Sequence, residues 1–386
     1  MHDQAKAATL GLINGDADRF LALSHRLHAH PEVGFEEERA CAWLAEDLTA
    51  YGFTVETGVC DLPTAFVAEA GTGPLVIGIC AEYDALPGIG HACGHNVIAS
   101  AAIAAGAALA CVADELGITV KVFGTPAEEN GGGKVLMLER GAFAGVHAAM
   151  MVHPAPNERL DPPVLARQQM HIEYRGRPAH ASSCPEDGIN AADALTIAQV
   201  AIGLLRQHVP GHQRIHGIVT QGGQAPNIVP EHTAADYYVR AETLAELTEL
   251  TGRVRACFEA GAVGTGATLT VGSESPAYSE FRHDTPLLEL YRRNAEALGR
   301  TFPEVTPADN RMAASTDMAN VSLAVPSIQP LISIGSGTVG QHQAEFAAYA
   351  VGPEGDRAVL AGGAAMAWTV VDAALDPAAR ERLLTR

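Results

Sequence analysis

The chain has 386 residues, 47% of them hydrophobic, and its 25 basic against 45 acidic side chains leave a formal charge of −20. At roughly 150 residues per domain, this length calls for two or three packed cores, and the apolar fraction excludes a disordered chain. The acidic excess repels phosphate backbones and anionic lipid, which argues against nucleic-acid or membrane-surface binding and suits cationic ligands, metal or substrate. The N-terminal stretch MHDQAKAATLGLINGDADRF carries acids and lacks the apolar core of a secretory signal. Helices are predicted over Leu21–Leu27 and over the Glu/Ala/Leu-rich Glu36–Leu48, closed by Tyr51-Gly52. Short apolar runs at Thr64–Glu69, Leu75–Cys80, Thr119–Phe123 and Ala148–Val152 read as strands separated by helical stretches. One of those stretches, Val97–Ala113, is uncharged and mostly alanine; its Ala-Ala and Ala-Gly steps suit a helix packed tightly against protein rather than lipid. Strands alternating with helices imply a largely parallel sheet covered on both faces.

The middle of the chain changes pattern. A strand at Gln168–Tyr174, a helix over Asn190–Gln207, strands at Arg214–Thr220 and Thr233–Val239, a helix over Glu242–Ala260 and a strand at Thr268–Val271 give the order β-α-β-β-α-β of a ferredoxin-like sandwich. Pro162-Pro163 and Pro276–Phe281 flank it as hinges, and from Thr285 the α/β pattern resumes. It continues with a helix through Leu298, a strand at Ile328–Ile334 and an apolar helix at Ala358–Ala374. The expected architecture is therefore α/β: a mostly parallel sheet domain from residues 1–165 and 280–386, with the ferredoxin-like domain inserted at 166–279. Seven scattered cysteines with no Cys-x-x-Cys pair point to a reducing compartment, and the expectation is a soluble cytoplasmic protein.

In open parallel sheets, ligands bind beyond the carboxyl ends of the strands. After Leu75–Cys80 come Glu82, Asp84, Cys93 and His95; after Thr119–Phe123 come Glu128-Glu129 and the Gly131–Gly133 run; after Ala148–Val152 comes His153; after Ile328–Ile334 a glycine-rich turn leads to His342. Thiolate, imidazole and carboxylate together suit zinc or a neighbouring transition metal better than magnesium or calcium. The surplus over one tetrahedral site suits a bridged pair of ions, an arrangement that promotes hydrolysis. Adjacent glutamates on irregular backbone can divide two tasks, one as metal ligand and one as general base. The glycines that follow would let the backbone approach the site. Each residue alone has a structural explanation: a solvated acidic loop, a hydrogen-bonded strand-end histidine, a small buried cysteine, a turn histidine. Coincidence at four strand ends favours a metal centre, because four separate accidents would otherwise be needed.

The motifs AEYDALP, HACGHN, GTPAEENGGGK, VHP and GQHQAEF resemble, in order, those of the aminoacylase and carboxypeptidase family of dinuclear metallohydrolases. They are most similar to its amidohydrolase branch of auxin-conjugate hydrolases, aminobenzoyl-glutamate hydrolase and β-alanyl-lysine dipeptidase. The likeness runs from about His25 to the C-terminal helix. It implies hydrolysis of the amide bond of N-acyl amino acids or small dipeptides, with a metal-bound water activated by Glu128. By that resemblance Cys93, His95, Glu129, His153 and His342 hold two divalent transition-metal ions (zinc or manganese, with cobalt or nickel as alternatives), and Asp84 orients a ligand. Relatives outside the branch carry His two positions before that Asp, where this chain has Glu82.

The resemblance further implies that the inserted domain makes a homodimer and closes over the site. Within it, His180 of GRPAHA stabilises the oxyanion, often from the partner subunit, while Asn227 and Arg240 hold the substrate, Arg240 through its bidentate fork. Two other readings stand beside this one. A cysteine-nucleophile hydrolase using Cys93 gives Glu129 and His342 no task, and a non-catalytic small-molecule binder on the same fold leaves Glu128 unexplained.

Overall fold

The computed structural model describes residues 1–306 and 314–385. The apolar patterns condense into separate cores belonging to two units, Met1–Pro163 with Phe281–Arg386, and Val164–Glu280. In chain order the first part holds α1 (His2–Gly15), α2 (Ala17–Ala29), α3 (Glu38–Ala50), β1 (Thr54–Thr57), β2 (Phe66–Ala70), β3 (Leu75–Ala81), α4 (His95–Ala110), α5 (Ala113–Leu116), β4 (Ile118–Gly124), α6 (Gly133–Glu139), β5 (Ala148–Met150) and β6 (His153–Ala155). The second unit holds β7 (Ala166–Arg175), α7 (Ala191–Leu205), β8 (Arg214–Gln221), β9 (His232–Ala241), α8 (Leu244–Thr265) and β10 (Thr268–Gly272). The first unit resumes with α9 (Thr285–Ala297), α10 (Met318–Ala324), β11 (Ser327–Ile328), β12 (Leu331–Ser333), α11 (Phe346–Tyr349), α12 (Pro353–Leu375) and α13 (Pro377–Leu384).

The six-stranded sheet has the order β1-β2-β4-β3-β5-β11, parallel from β4 to β11 and antiparallel at the β1-β2-β4 edge. β1 has no counterpart in the sequence reading, because the short TVET segment is largely exposed and offers no apolar alternation. The strand expected over Ala148–Val152 ends at Met150, and a further short strand, β6, follows at His153; the strand expected over Ile328–Ile334 is split, with Gln329-Pro330 separating β11 from β12. β6 and β12 stand outside the main sheet and pair with one another in parallel. Proline explains the second break, since it has no N–H to continue a ladder, and its carbonyl instead accepts from His153 N at 3.0 Å. The break places His153 at the start of the separate β6–β12 ladder, across from Leu331.

The alanine-rich α4 is the central pillar, with every residue from His95 to Leu109 buried. It packs against α12, which is long and apolar enough to cross a membrane by length and composition but has 72% of its most apolar window buried inside the protein. All seven cysteines are free thiols.

In the second unit the antiparallel sheet β10-β7-β9-β8 carries α7 and α8 on one face, around Ile172, Tyr174, Val239, Leu250, Val254 and Phe258. Both helices start on side-chain caps, which satisfy amide N–H groups that the helix itself leaves without partners: Asn190 Oδ1 accepts from Ala192 N, and Thr243 Oγ1 accepts from Glu246 N.

Candidate metal centre

Cys93 and His95 flank Gly94, the residue that caps α4. Gly94 has φ of 80°, and a Cβ there would lie 2.8 Å from the Pro154 ring, so glycine is what lets the thiol and the imidazole be placed side by side against β6. His95 Nδ1 donates to Asp84 Oδ1 at 3.0 Å, and Asp84 Oδ2 accepts from Glu129 N at 3.0 Å. One buried carboxylate thus fixes the histidine's tautomer and the glutamate's backbone together. His153 is oriented in the same way, its Nδ1 donating to Pro154 O at 2.9 Å, with Nε2 3.7 Å from Cys93 Sγ. Both imidazoles therefore present Nε2 to the interior of the site, as metal-ligating histidines do.

Into the same space come the carboxylates of the β4–α6 loop. His95 Nε2 lies 3.9 Å from Glu128 Oε2 and 3.9 Å from Glu129 Oε1, and His342 Nε2 lies 3.3 Å from Glu129 Oε1. The expected run of glycines acts differently from the sequence reading: a Cβ on Gly133 would lie 2.0 Å from Pro126 O, so the loop closes upon itself and thereby aims the glutamates. His342 sits at φ of 66°, its N–H donating to Ala92 O at 2.9 Å, with its side chain 56% exposed at the rim. Cys93, His95 and His153 form one group with their ligand atoms within 4.8 Å of one another, and Cys93, Glu129 and His342 form a second; Cys93 belongs to both. The structure thus brings five of the sequence-derived candidates together, with Glu128 and Asp84 beside them.

The electrostatics are those of a crowded anionic pocket. Burial, then Glu82 and Glu129, push the Glu128 carboxyl well above its ordinary range. Burial also works to raise Glu129, but the His342 and His95 partners outweigh it and hold it low. Burial and the neighbouring Glu129 raise the Cys93 thiol far above its usual value. His95 Nε2 is fully buried and, among the described residues, has no hydrogen-bond partner. Converging acceptors around an orphaned imidazole nitrogen, beside a thiol that ionises only near positive charge, fit divalent cations and little else.

Two charged residues behind the centre, Lys134 and Asp317, gave no sequence signal as site residues, and they hold Glu82, which the sequence places at a strand end. Lys134, Glu82 and Asp317 are all completely buried; Lys134 Nζ donates to Glu82 Oε1 at 2.6 Å and to Asp317 Oδ1 at 2.8 Å, and its backbone N–H donates to Asp317 Oδ2 at 2.8 Å. Glu82 Oε2 faces His95 Nε2 at 3.5 Å. The available clue was a lysine opening the otherwise apolar stretch Val135–Leu138.

Glu37, also buried, accepts from Thr64 Oγ1 and from Ala127 N, both at 2.8 Å. It thereby braces Ala127, the residue before Glu128 held at φ of 56°. Burial, then Asp84, raise its pKa to about 7. The folded state consequently binds a proton that the unfolded state has released between the ordinary carboxylate value of 4.5 and about 7. Stability from this group is full below 4.5 and falls as pH rises through 7. Glu37→Gln removes that dependence, so its stability relative to the native chain should improve by on the order of 3 kcal/mol between pH 4 and pH 8, read from guanidinium midpoints.

His180, Asn227 and Arg240 lie in the second unit. His180 and Asn227 are exposed and adjacent: Ala181 N donates to Asn227 O at 3.0 Å, and His180 bridges to Ile228. Arg240 is half-buried on β9, apart from those loops.

Residues 78–366 match peptidase family M20/M25/M40. The chain is 36% identical over 384 residues to the Xaa-Arg dipeptidase of Mus musculus, covering 96% of this chain and 89% of that protein. It is 34% identical over 278 residues to a p-aminobenzoyl-glutamate hydrolase chain of Escherichia coli, covering 67% of this chain and 58% of that one. A dinuclear metal-binding M20 peptidase of Bacillus subtilis shares the fold with a TM-score of 0.63 at 20% identity, over 93% of this chain and 99% of that one.

Proposed function

The chain belongs to peptidase family M20/M25/M40 and is a metal-dependent amidohydrolase of the dipeptidase kind; from that premise we propose that Cys93, His95, Glu129, His153 and His342 hold two divalent transition-metal ions at its centre. The observation that carries this reading is the shared placement of Cys93 in two ligand groups, with His95 and His153 each turned to present Nε2. Thiolate, imidazole and carboxylate donors favour zinc or manganese, with cobalt or nickel as alternatives. Ions held by these residues would supply Lewis acidity and would acidify water.

The protein's own residues do the rest. Glu128 takes the proton as water oxygen bonds to the carbonyl carbon, and delivers it to the amide nitrogen as the C–N bond breaks, so that one carboxyl serves as base and then acid. Asp84 keeps His95 in the tautomer whose Nε2 is free. His180 donates to the developing oxyanion, Asn227 contacts the substrate, and Arg240 takes its free carboxylate. The substrate class is a dipeptide or N-acyl amino acid. A basic C-terminal residue is favoured by the likeness to a protein named Xaa-Arg dipeptidase and by the −20 charge. Seven free cysteines support a reducing, cytoplasmic location. Exposed Val200, Leu204, Ile218 and Val219, on α7 and on the edge strand β8, support a homodimer through the second unit.

Two measurements test the reading. A chelator should reduce amine release from dipeptides at least about 100-fold, and a divalent metal should restore it, whereas a Cys93-nucleophile enzyme would survive chelation and be lost to iodoacetamide. Leu204→Glu combined with Ile218→Glu should halve the mass seen by light scattering; an unchanged mass removes these residues from the dimer contact.

A further inference from the structure

The sheet of the second unit has a face opposite α7 and α8, and its register sets cations there in one corner. Arg167 on β7 stands directly across from Arg240 on β9, which in turn stands across from Arg214 on β8, and His216 lies across from Tyr238. Arg214 turns aside to the carbonyls of Gly211 and Gln213. Arg240 Nε donates to His216 Nε2 at 3.4 Å, which requires that ring nitrogen to be unprotonated. The carboxylates of this face lie farther along the strands and are engaged: Asp236 with His171 at 2.7 Å, and Glu173 beside His232 and Arg175.

Arg167 is the unusual member. It is 8% exposed, and its guanidinium is held between two rings, 4.2 Å from the centroid of Tyr278 and 4.9 Å from that of Tyr238. Among the described residues no carboxylate forms an ion pair with it, and its buried Nη2 has no hydrogen-bond partner there. A guanidinium cannot shed its proton to relieve such burial, and buried cations are stable when paired. The rings stabilise its two faces, but the in-plane N–H donors need an acceptor in that plane. Burial and then the neighbouring Arg167 both lower the pKa of Arg240, in keeping with like charges on facing strand positions.

We propose that Arg167 and Arg240 together bind a carboxylate-class oxyanion on this face of the second unit, with Arg167 as a ring-clamped fork aimed by Tyr238 and Tyr278. The ring-clamped Arg167 fork, with Arg240 on the facing strand position, matches a planar carboxylate, and lysine could not supply the same geometry. Where that carboxylate is the free end of the hydrolysed substrate, the inference rests on the function proposed above and adds Arg167 to Arg240 as a specificity residue.

The test uses the full-length, metal-loaded protein with Arg167→Met and Arg167→Lys. The first arm compares kcat/KM for a dipeptide with that for its C-terminal amide; the second follows the melting temperature against acetate and inorganic phosphate. If the oxyanion is the substrate's, the native acid-to-amide ratio is high, and Arg167→Met lowers it at least tenfold through KM, a change that a purely structural role would not produce. If it is a free anion, the ratio holds, while acetate or phosphate raises the melting temperature of the native chain and not of the variants. An unchanged ratio with no anion response in the native chain overturns the proposal. Should Arg167→Met not fold, Arg167→Lys decides, because it keeps the charge and loses the fork. If neither the dipeptide nor its C-terminal amide is hydrolysed, the functional reading has failed, and the anion arm alone judges this site.

Discussion

Replacing Glu128 by Gln should lower kcat by about 1,000-fold or more while leaving two metal equivalents bound. The side chains are nearly isosteric, so the buried site keeps its packing, but an amide cannot accept the proton that the attacking water loses. The variant also separates two roles that geometry alone leaves adjacent. Glu128 Oε2 and Glu129 Oε1 are each 3.9 Å from His95 Nε2, and Glu128 groups with Glu82 and His95 as a further set of ligand-type atoms. Glu129 reaches His342 as well, while burial, then Glu82, Glu129 and Asp317, push the Glu128 pKa up, as a base-then-acid requires. Glu129→Gln should therefore show the opposite signature, a loss of bound metal measured by elemental analysis, with activity partly recovered at high metal concentration. Metal loss in Glu128→Gln, or turnover within tenfold of native, would move the base to another residue.

The parts of this centre legible in the sequence share one property: they are reactive residue types at strand ends. Cys93, His95, Glu129, His153 and His342 could be gathered because a parallel sheet delivers its strand ends to one rim. The break between β5 and β6 did not spoil this, since His153 Nε2 still lies 3.7 Å from Cys93 Sγ. What was not legible depends on burial, which residue type does not encode. Lys134 in a GGGK string reads as a solvated charge, Asp317 in STDM as a helix start, and Glu37 as a member of the acidic run Glu36–Glu38, yet all three are completely buried. Their partners lie 27 to 183 residues away, as in Glu37 with Thr64 and Lys134 with Asp317, and no local period announces such pairs. Arg167 was hidden for a related reason. An arginine at a strand start is ordinarily exposed, and only the cross-strand tyrosine and Tyr278 enclose it.

Lys134→Met should be the most destabilising single change considered, on the order of 3–5 kcal/mol, with a melting temperature lower by about 10 °C. The ammonium is fully buried between Glu82 and Asp317, and those attractions outweigh its own burial and keep it charged. Methionine fills a similar volume, so a cavity is not the cause of the loss; two carboxylates left facing each other without a counter-charge are. Burial and Glu82 already raise Asp317 in the native chain, and without the lysine one of the two must take a proton. Neutralising both partners as well, in Lys134→Met with Glu82→Gln and Asp317→Asn, should recover more than half of the lost stability, because the penalty belongs to the unpaired charge rather than to the missing contact. Recovery of stability should not bring recovery of catalysis. Glu82 Oε2 stands 3.5 Å from His95 Nε2, and a neutral amide there removes a negative charge from the wall of the metal centre. The triple variant should therefore melt near the native chain while binding its metals more weakly in a chelator competition. Equal metal affinity in the two proteins would reduce Glu82 and Lys134 to packing elements and leave the centre to its five nearer donors.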